Sequence, residues 1–448
     1  MPAALVTEKI AEWLCSVGYE QLPAEVRHKT ADVILDSVGC MVACSGLPEV
    51  RAIVEFVQEL SDRPECTIVG HQGRSSVVGA AMANGGMAHG DEVDPVHLSS
   101  SGGHVAAGTV PTALTVGEWV GASGTDVLRA VALGYELGGR LITILYRERD
   151  YVARRFYHTA VAGALTSAAT AALLLGFDPG SLQKALGLAA YQASGPDNMT
   201  KDPGHMGKTF QVAAANRNGV TAALLARKRC YVTPDILDGQ FGFFDAFLGS
   251  PEVANELTQG LGDYYAITDV MHKRYPVGSP NQTYLQGLFA ILSEQKIQAE
   301  DIREIEIQIP KRSVHRIPTT RHASISGEVV CAIAAVHGKL DFFALHDGGA
   351  AQAPAVQQMR ERIRFVGRDD WQDLTHGRHA IIRLTTRGGR AFEKEVWLEP
   401  MTSEELEKKF SGLVSPKWGD EKTHRLKRQI RELEKAGSVR PLLRELQG

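Results

Sequence analysis

Residues 159–176 read TAVAGALTSAATAALLLG, and no other stretch limits the fold as tightly. The run is apolar yet built from small residues. It is also shorter than the roughly 20 apolar residues that a membrane span needs. A helix of this texture has to be buried, and its small side chains let neighbouring axes approach closely. The same texture recurs. Apolar residues fall at helical spacing over 7–17, 24–44 and 49–60, and again over 108–121 and 180–191. Thr125 and Asp126 open a further helix whose buried side carries Val127, Leu128, Val131 and Leu137. Residues 208–227 complete the set. Residues 1–268 therefore predict a large, tightly packed helical domain.

The pattern breaks near residue 269. Residues 303–309, REIEIQI, alternate strictly and put Ile305, Ile307 and Ile309 on one face, as in a half-buried strand. Residues 379–386 and 391–398 are strand-like and flank Arg387-Gly388-Gly389-Arg390, a hairpin turn signal. Helical stretches at 280–294 and 326–337 lie between these strands. A smaller α+β domain is expected over 269–400. Thr402 followed by Glu405 has the form of a capping box, so helices resume at 401–448. The fold class is mainly α, with two domains for the 448 residues.

Composition narrows the function. With 48 basic and 52 acidic residues there is no positive excess for a phosphate backbone, so nucleic acid is not an expected partner. The six cysteines are scattered and lack paired zinc spacing, which predicts free thiols in a reducing compartment. The N-terminus has acidic residues and no apolar signal core. A cytoplasmic protein without membrane association is expected. Neither a phosphate-binding glycine loop nor a serine nucleophile elbow occurs.

Chemistry concentrates in residues 84–104, NGGMAHGDEVDPVHLSSSGGH. His89, Asp91, Glu92, Asp94, His97 and His104 fall close together, and the glycines predict an irregular loop because each costs about 1 kcal/mol inside a helix. Four other places carry matching groups. Arg154, Arg155 and His158 stand at the mouth of the buried helix. Lys201, His205 and Lys208 precede an Ala-rich helix, where a lysine next to the positive helix end calls for an anion nearby. His272, Lys273 and Arg274 open the second domain. Arg321 and His322 precede the helix at 326–337. Histidines with separated cations suit a small polycarboxylate, clamped while a proton moves at the carbon beside a carboxylate. His97, His104, Asp91 and Asp94 are possible metal ligands, but no HxxxH spacing occurs and no metal or other cofactor is expected.

In order along the chain, ILDSVGCMVACSG, MANGGMAHGDEVDPVH, HVAAGTVPTALTVGEW, FYHTAVAGALTSAATAALLLGFD, GKTFQVAAANRNGVTAALLARK and KRYPVGSPNQ resemble successive segments of the MmgE/PrpD family. That family includes 2-methylcitrate dehydratase, cis-aconitate decarboxylase and iminodisuccinate epimerase. The resemblance covers almost the whole chain. It implies a helical domain completed by the C-terminal helices, a smaller α+β lid, an active site in the cleft between them, homodimers and metal-independent chemistry. It places His104, His158 and Lys208 at catalytic positions and Lys273 at the opening of the lid.

The leading expectation is a dehydratase of the 2-methylcitrate type acting on a small hydroxy-polycarboxylate. His104 and His158 would exchange protons, and Lys208, Lys273 and Arg274 would hold carboxylates. Asp94 or Glu92 would orient a histidine or the substrate hydroxyl, with His97 and Tyr275 as further substrate contacts. A decarboxylase or an epimerase on the same scaffold is the alternative, and a non-catalytic carboxylate-binding relative is the alternative from another class. Departures from the family pattern fall at Val96, at Val277, Gly278, Ser279 and Pro280, where no histidine stands, and at Val329.

Overall fold

The computed structural model describes residues 5–100, 102–148, 155–202, 204–314, 322–346, 349–371 and 378–448. Arg154 and Arg321, named above, fall outside them.

Helices α1 (Val6–Ser16), α2 (Ala24–Cys44), α3 (Pro48–Glu59) and α4 (Val77–Ala88) open the chain. They are followed by α5 (Ala106–Val120), α6 (Gly124–Arg147), α7 (His158–Leu174), α8 (Pro179–Ala190) and α9 (Met206–Ala226). Helix α7 is the hub, packed against α5, α6, α8 and α9. Its small residues make this possible. A Cβ on Gly219 of α9 would lie 2.5 Å from Ser167 Cβ and 2.6 Å from the Ala164 carbonyl, so the two backbones nearly touch. No single described helix is long and apolar enough to cross a membrane.

The loop expected from residue 84 begins later. Helix α4 continues through Gly85 and Gly86 to Ala88, and all of Val77–Ala88 except Val78 and Gly79 is buried. The glycines serve packing, since a Cβ on Gly85 would meet Asn216 Nδ2 of α9 at 2.5 Å.

The second unit has its own core, centred on Leu285, Leu288, Ile305, Ile307, Val330, Ile333, Ile382 and Leu384. Its sheet has the order β2-β1-β3-β4, from β1 (Ile302–Pro310), β2 (Ile363–Arg368), β3 (His379–Thr386) and β4 (Ala391–Trp397). Strand β1 runs parallel to β2 and antiparallel to β3, with Ile305 opposite Leu384 and Ile307 opposite Ile382. The polar face of β1 is covered too. Glu306 is buried and paired with Arg364 and Arg383, and Gln308 accepts from Arg368 at 2.8 Å. Helix α10 (Phe243–Leu248) precedes the lid. Inside it lie α11 (Asn281–Gln295), α12 (Lys311–Val314), α13 (Gly327–His337), α14 (Phe342–His346) and α15 (Pro354–Arg360).

The chain then returns to the helical core. Thr402 caps α16 (Ser403–Arg431) in a capping box with Glu405, and α16 packs along α2 through Leu406, Phe410, Leu413 and Val414. Helix α17 (Arg440–Leu446) closes the lobe. Two short strands, Val96–His97 and Val270–Met271, pair antiparallel where the lobes meet.

Candidate active site

The loop after α4 is buried from His89 to His97, so its carboxylates and imidazoles satisfy one another rather than water. Asp94 is the centre. One oxygen, Oδ2, lies 2.7 Å from His89 Nδ1 and 2.8 Å from His104 Nδ1. A buried carboxylate flanked in this way accepts an N–H from each ring, which assigns the tautomers. His89 Nε2 then accepts from the Tyr157 hydroxyl at 2.7 Å. His104 Nε2 retains its lone pair and has no hydrogen-bond partner among the described residues. A carboxylate holds its Nδ1 as it holds that of the histidine in a Ser–His–Asp triad.

Two ammonium groups lie on the other side of Asp94. Lys208 enters from the first turn of α9 and Lys273 from the segment just after the strand Val270–Met271. Lys273 Nζ is 2.8 Å from Glu92 Oε2 and 3.8 Å from Asp94 Oδ1. Lys208 Nζ is 3.7 Å from both Glu92 Oε1 and Asp94 Oδ1, and donates to the carbonyls of His89 and Asp91 at 3.2 and 3.0 Å. Lys208, Lys273 and Asp94 are 2%, 0% and 1% exposed, so the site is closed over.

The charges set one another. Burial disfavours the Lys208 ammonium, but Asp94, Glu92 and Asp91 outweigh it and raise its pKa above the ordinary lysine value. Burial likewise pushes Glu92 up, and Lys208 and Lys273 pull it further down, below the usual carboxylate range. Asp94 is held well below that range, as His104, Lys208 and His89 overcome its desolvation. Burial and then the Lys208 charge lower His89 to about 3, so this ring is neutral. Burial also lowers His104, against the pull of Asp94.

His158 begins α7 beside this group. The His104 amide donates to Thr159 Oγ1 at 3.1 Å, and a Cβ on Gly103 would lie 3.2 Å from His158 Cδ2. The two histidine-bearing segments are thus locked side by side. Below them, Asp36 of α2 binds His272 Nδ1 at 2.7 Å and Lys409 Nζ of α16 at 2.6 Å, and Lys409 donates to the Val93 carbonyl at 2.8 Å. This braces both the acidic loop and the segment that carries Lys273.

Family models match this chain twice: the MmgE/PrpD N-terminal domain over residues 8–256 and the MmgE/PrpD C-terminal domain over residues 275–435. The chain belongs to the MmgE/PrpD family. Among similar proteins, a cis-aconitate decarboxylase-like protein, oryM, of Aspergillus oryzae is 24% identical and covers 100% of this chain and 98% of its own length. A cis-aconitate decarboxylase of Aspergillus terreus is 25% identical, covering 98% of this chain and 95% of its own. That of Mus musculus is 23% identical, covering 92% and 87%.

In this MmgE/PrpD chain the structure gathers His104, Asp94, Glu92, Lys208 and Lys273 into one cluster, with His158 alongside. It does not bring in the other three residues expected to touch substrate. His97 turns away toward α6, near Thr143 and edge-on to Tyr135, and burial lowers it to about 4. Arg274 pairs with Glu405 of α16. Tyr275 packs its ring on Phe289 at 5.1 Å. Nothing in the chain marks out a role for His89, although His89 and Asp94 share one short loop. Tyr157, Asp36 and Lys409 also stand in supporting positions, with no local signal beyond being polar groups in apolar helices or at their starts.

Proposed function

We propose that this chain is a lyase that generates a carbanion next to a carboxylate of a small di- or tricarboxylate. The chain is an enzyme by family, and its relatives across nearly the full length are carboxy-lyases by name. One observation carries the chemistry: two buried ammonium groups stand beside a histidine whose Nδ1 is anchored on a carboxylate.

Decarboxylation is the preferred reaction, because of those relatives. The bond to the departing carboxyl group breaks, carbon dioxide leaves, and the electron pair stays on carbon, delocalised toward a neighbouring carboxylate. Lys208 and Lys273 stabilise that charge, and His104 or His158, having taken up a proton from water on its free nitrogen, returns it to carbon. Each step is assigned to a protein group. Dehydration is the second reading, favoured by the pairing of two histidine segments, since one ring would take the proton and the other would protonate the leaving hydroxyl.

In the closed arrangement Glu92 sits where a substrate carboxylate would sit, between the two lysines. Binding therefore requires the lid to open and the substrate to share or displace the Glu92 contacts. Incubation of the full-length protein with cis-aconitate and with 2-methylcitrate, followed by product mass, tests the reading. Loss of carbon dioxide supports decarboxylation and loss of water supports dehydration. Failure to turn over any of a panel of di- and tricarboxylates refutes both.

A further inference from the structure

Asp91 lies two residues from Val93 on the same loop, but its side chain leaves the lysine cluster and enters a second, histidine-lined site. His205 Nδ1 is 3.2 Å from Asp91 Oδ1, His322 Nδ1 is 3.9 Å from the same oxygen, and His346 Nε2 is 2.7 Å from Oδ2. The His205 and His322 rings stack at 4.2 Å. Asp91 and His205 are each 1% exposed.

The polar atoms here are poorly satisfied. Asp91 Oδ2, both ring nitrogens of His205 and His346 Nε2 are buried and make no hydrogen bond among the described residues. The short contacts to Asp91 lie off the N–H directions, so they are close approaches rather than hydrogen bonds. Leaving such groups unpaired is costly, and each calls for an explanation. Three further details agree. His346 Nδ1 donates to the Phe342 carbonyl at 2.7 Å, which turns Nε2 toward Asp91 Oδ2. His322 Nδ1 is 2.9 Å from Ser324 Oγ, and that hydroxyl donates to Asp91 Oδ1 at 2.7 Å. With Nδ1 on Ser324, His322 offers Nε2 as its donor, and a hydrogen bond from the far ring nitrogen is how metal-binding histidines are oriented. His205 also holds a left-handed backbone, φ +56°, which aims its ring inward at the start of α9.

We propose that Asp91, His205 and His322 bind one divalent transition-metal ion of the zinc class, with His346 holding the other carboxylate oxygen as a positioning residue. One donor atom from each of the three ligands lies within 4.8 Å of the others. A tetrahedral ion with bonds of about 2.0–2.1 Å has donor–donor edges of about 3.3 Å, so the donors must draw in and the stacked His205 and His322 rings must turn for both lone pairs to converge. Imidazole and carboxylate donors suit zinc, cobalt or nickel; calcium and magnesium require an oxygen shell that is not present here. Asp91 and His205 belong to the helical lobe, and His322 and His346 to the lid. The ion therefore ties the two lobes together beside the lysine cluster. This departs from the expectation of a metal-free chain. It does not rest on the lyase reading, and no step of that reaction passes through the ion.

The test uses the full-length protein without a histidine tag. Metal content is measured as purified, then after chelation and return of Zn2+, Co2+ or Ni2+. One equivalent of ion per chain is expected, with visible absorption from the Co2+ form and a Tm rise of about 3 °C at a free ion concentration roughly 100-fold above Kd. The variants His205→Gln and His322→Gln should each lower affinity at least about tenfold. Absence of a stoichiometric ion and of any Tm shift with all three metals overturns the proposal. So does unchanged metal content in both variants. Should a variant fail to fold, the Co2+ spectrum of the wild-type protein decides: bands of four-coordinate nitrogen and oxygen ligation support the site, and the spectrum of the hydrated ion overturns it. Loss of turnover with metal binding intact, or the reverse, separates this proposal from the lyase reading.

Discussion

Asp94→Asn removes one charge and keeps the shape. In the native site Asp94 serves His89, His104, Lys208 and Lys273 together. Without its charge, Glu92 is the one carboxylate among the described residues left within 4 Å of the two buried ammonium groups. Breaking a buried ion pair by removal of one partner costs about 3–5 kcal/mol. At roughly 2.1 cal/mol/K per residue, a chain of 448 residues has an unfolding entropy near 0.9 kcal/mol/K, so Tm should fall by about 3–5 °C. Activity should fall much further. The Asn amide presents an N–H to one of its two imidazoles. If that ring is His104, Nδ1 becomes the acceptor and the proton moves to Nε2, so Nε2 no longer has the lone pair with which to take up a proton for delivery to carbon. The same exchange in a Ser–His–Asp triad costs on the order of 10⁴ in kcat, and a loss of that size is expected here. Differential scanning fluorimetry and saturating-substrate kinetics measure the two effects separately. A Tm within about 1 °C of wild type would refute the charge accounting. A kcat within about threefold of wild type, in folded protein, would refute the role of Asp94 in setting the His104 tautomer.

Two further outcomes follow from the same geometry. His89 has its pKa lowered to about 3 by burial and the Lys208 charge, against about 6.5 in an unfolded chain. As pH falls below 6.5 the unfolded chain binds this proton and the folded one does not, so the His89 contribution is complete above that value and lost toward pH 3. Urea titrations should show His89→Gln with a shallower acid dependence than wild type, by up to about 1.4 kcal/mol per pH unit; identical slopes would contradict the assignment. Gly103→Ala places a Cβ 2.6 Å from Ile142 Cγ2 and from Ser100 Oγ, and 3.2 Å from His158 Cδ2. Displacement of the His158 segment should lower kcat by about tenfold or more, and wild-type kinetics in this variant would remove the argued packing of the two histidine segments.

Much of this architecture was legible in the chain. The Ala- and Gly-rich helices admit close packing and little else, and the alternation over 303–309 marks a strand. Family order placed His104, Lys208 and Lys273, and the structure brings them around Asp94. Proximity in sequence was the weaker guide. Lys273 points into the site, and Arg274, the next residue, points out to Glu405. His97 is turned to α6 by the pairing of Val96–His97 with Val270–Met271. The internal pairing of the lysines was also hidden: a count of cations and acids does not say that Glu92 and Asp94 will neutralise them. His346 reaches Asp91 from another domain, and Asp36 meets Lys409 across most of the chain. Contacts of that span leave no local pattern to read.

The central claim is that this closed cluster of lysines and anchored imidazoles supports negative charge on carbon. Proton NMR of cis-aconitate and related polycarboxylates in deuterium oxide tests it directly, with wild-type protein and with His104→Ala and His158→Ala. The account predicts solvent deuterium at the carbon that loses a carboxyl group or proton, with each variant slowed by about 10²–10⁴. No deuterium incorporation with any of these acids, or variants as fast as wild type, would mean that the cluster is an ion lock between lobes and nothing more.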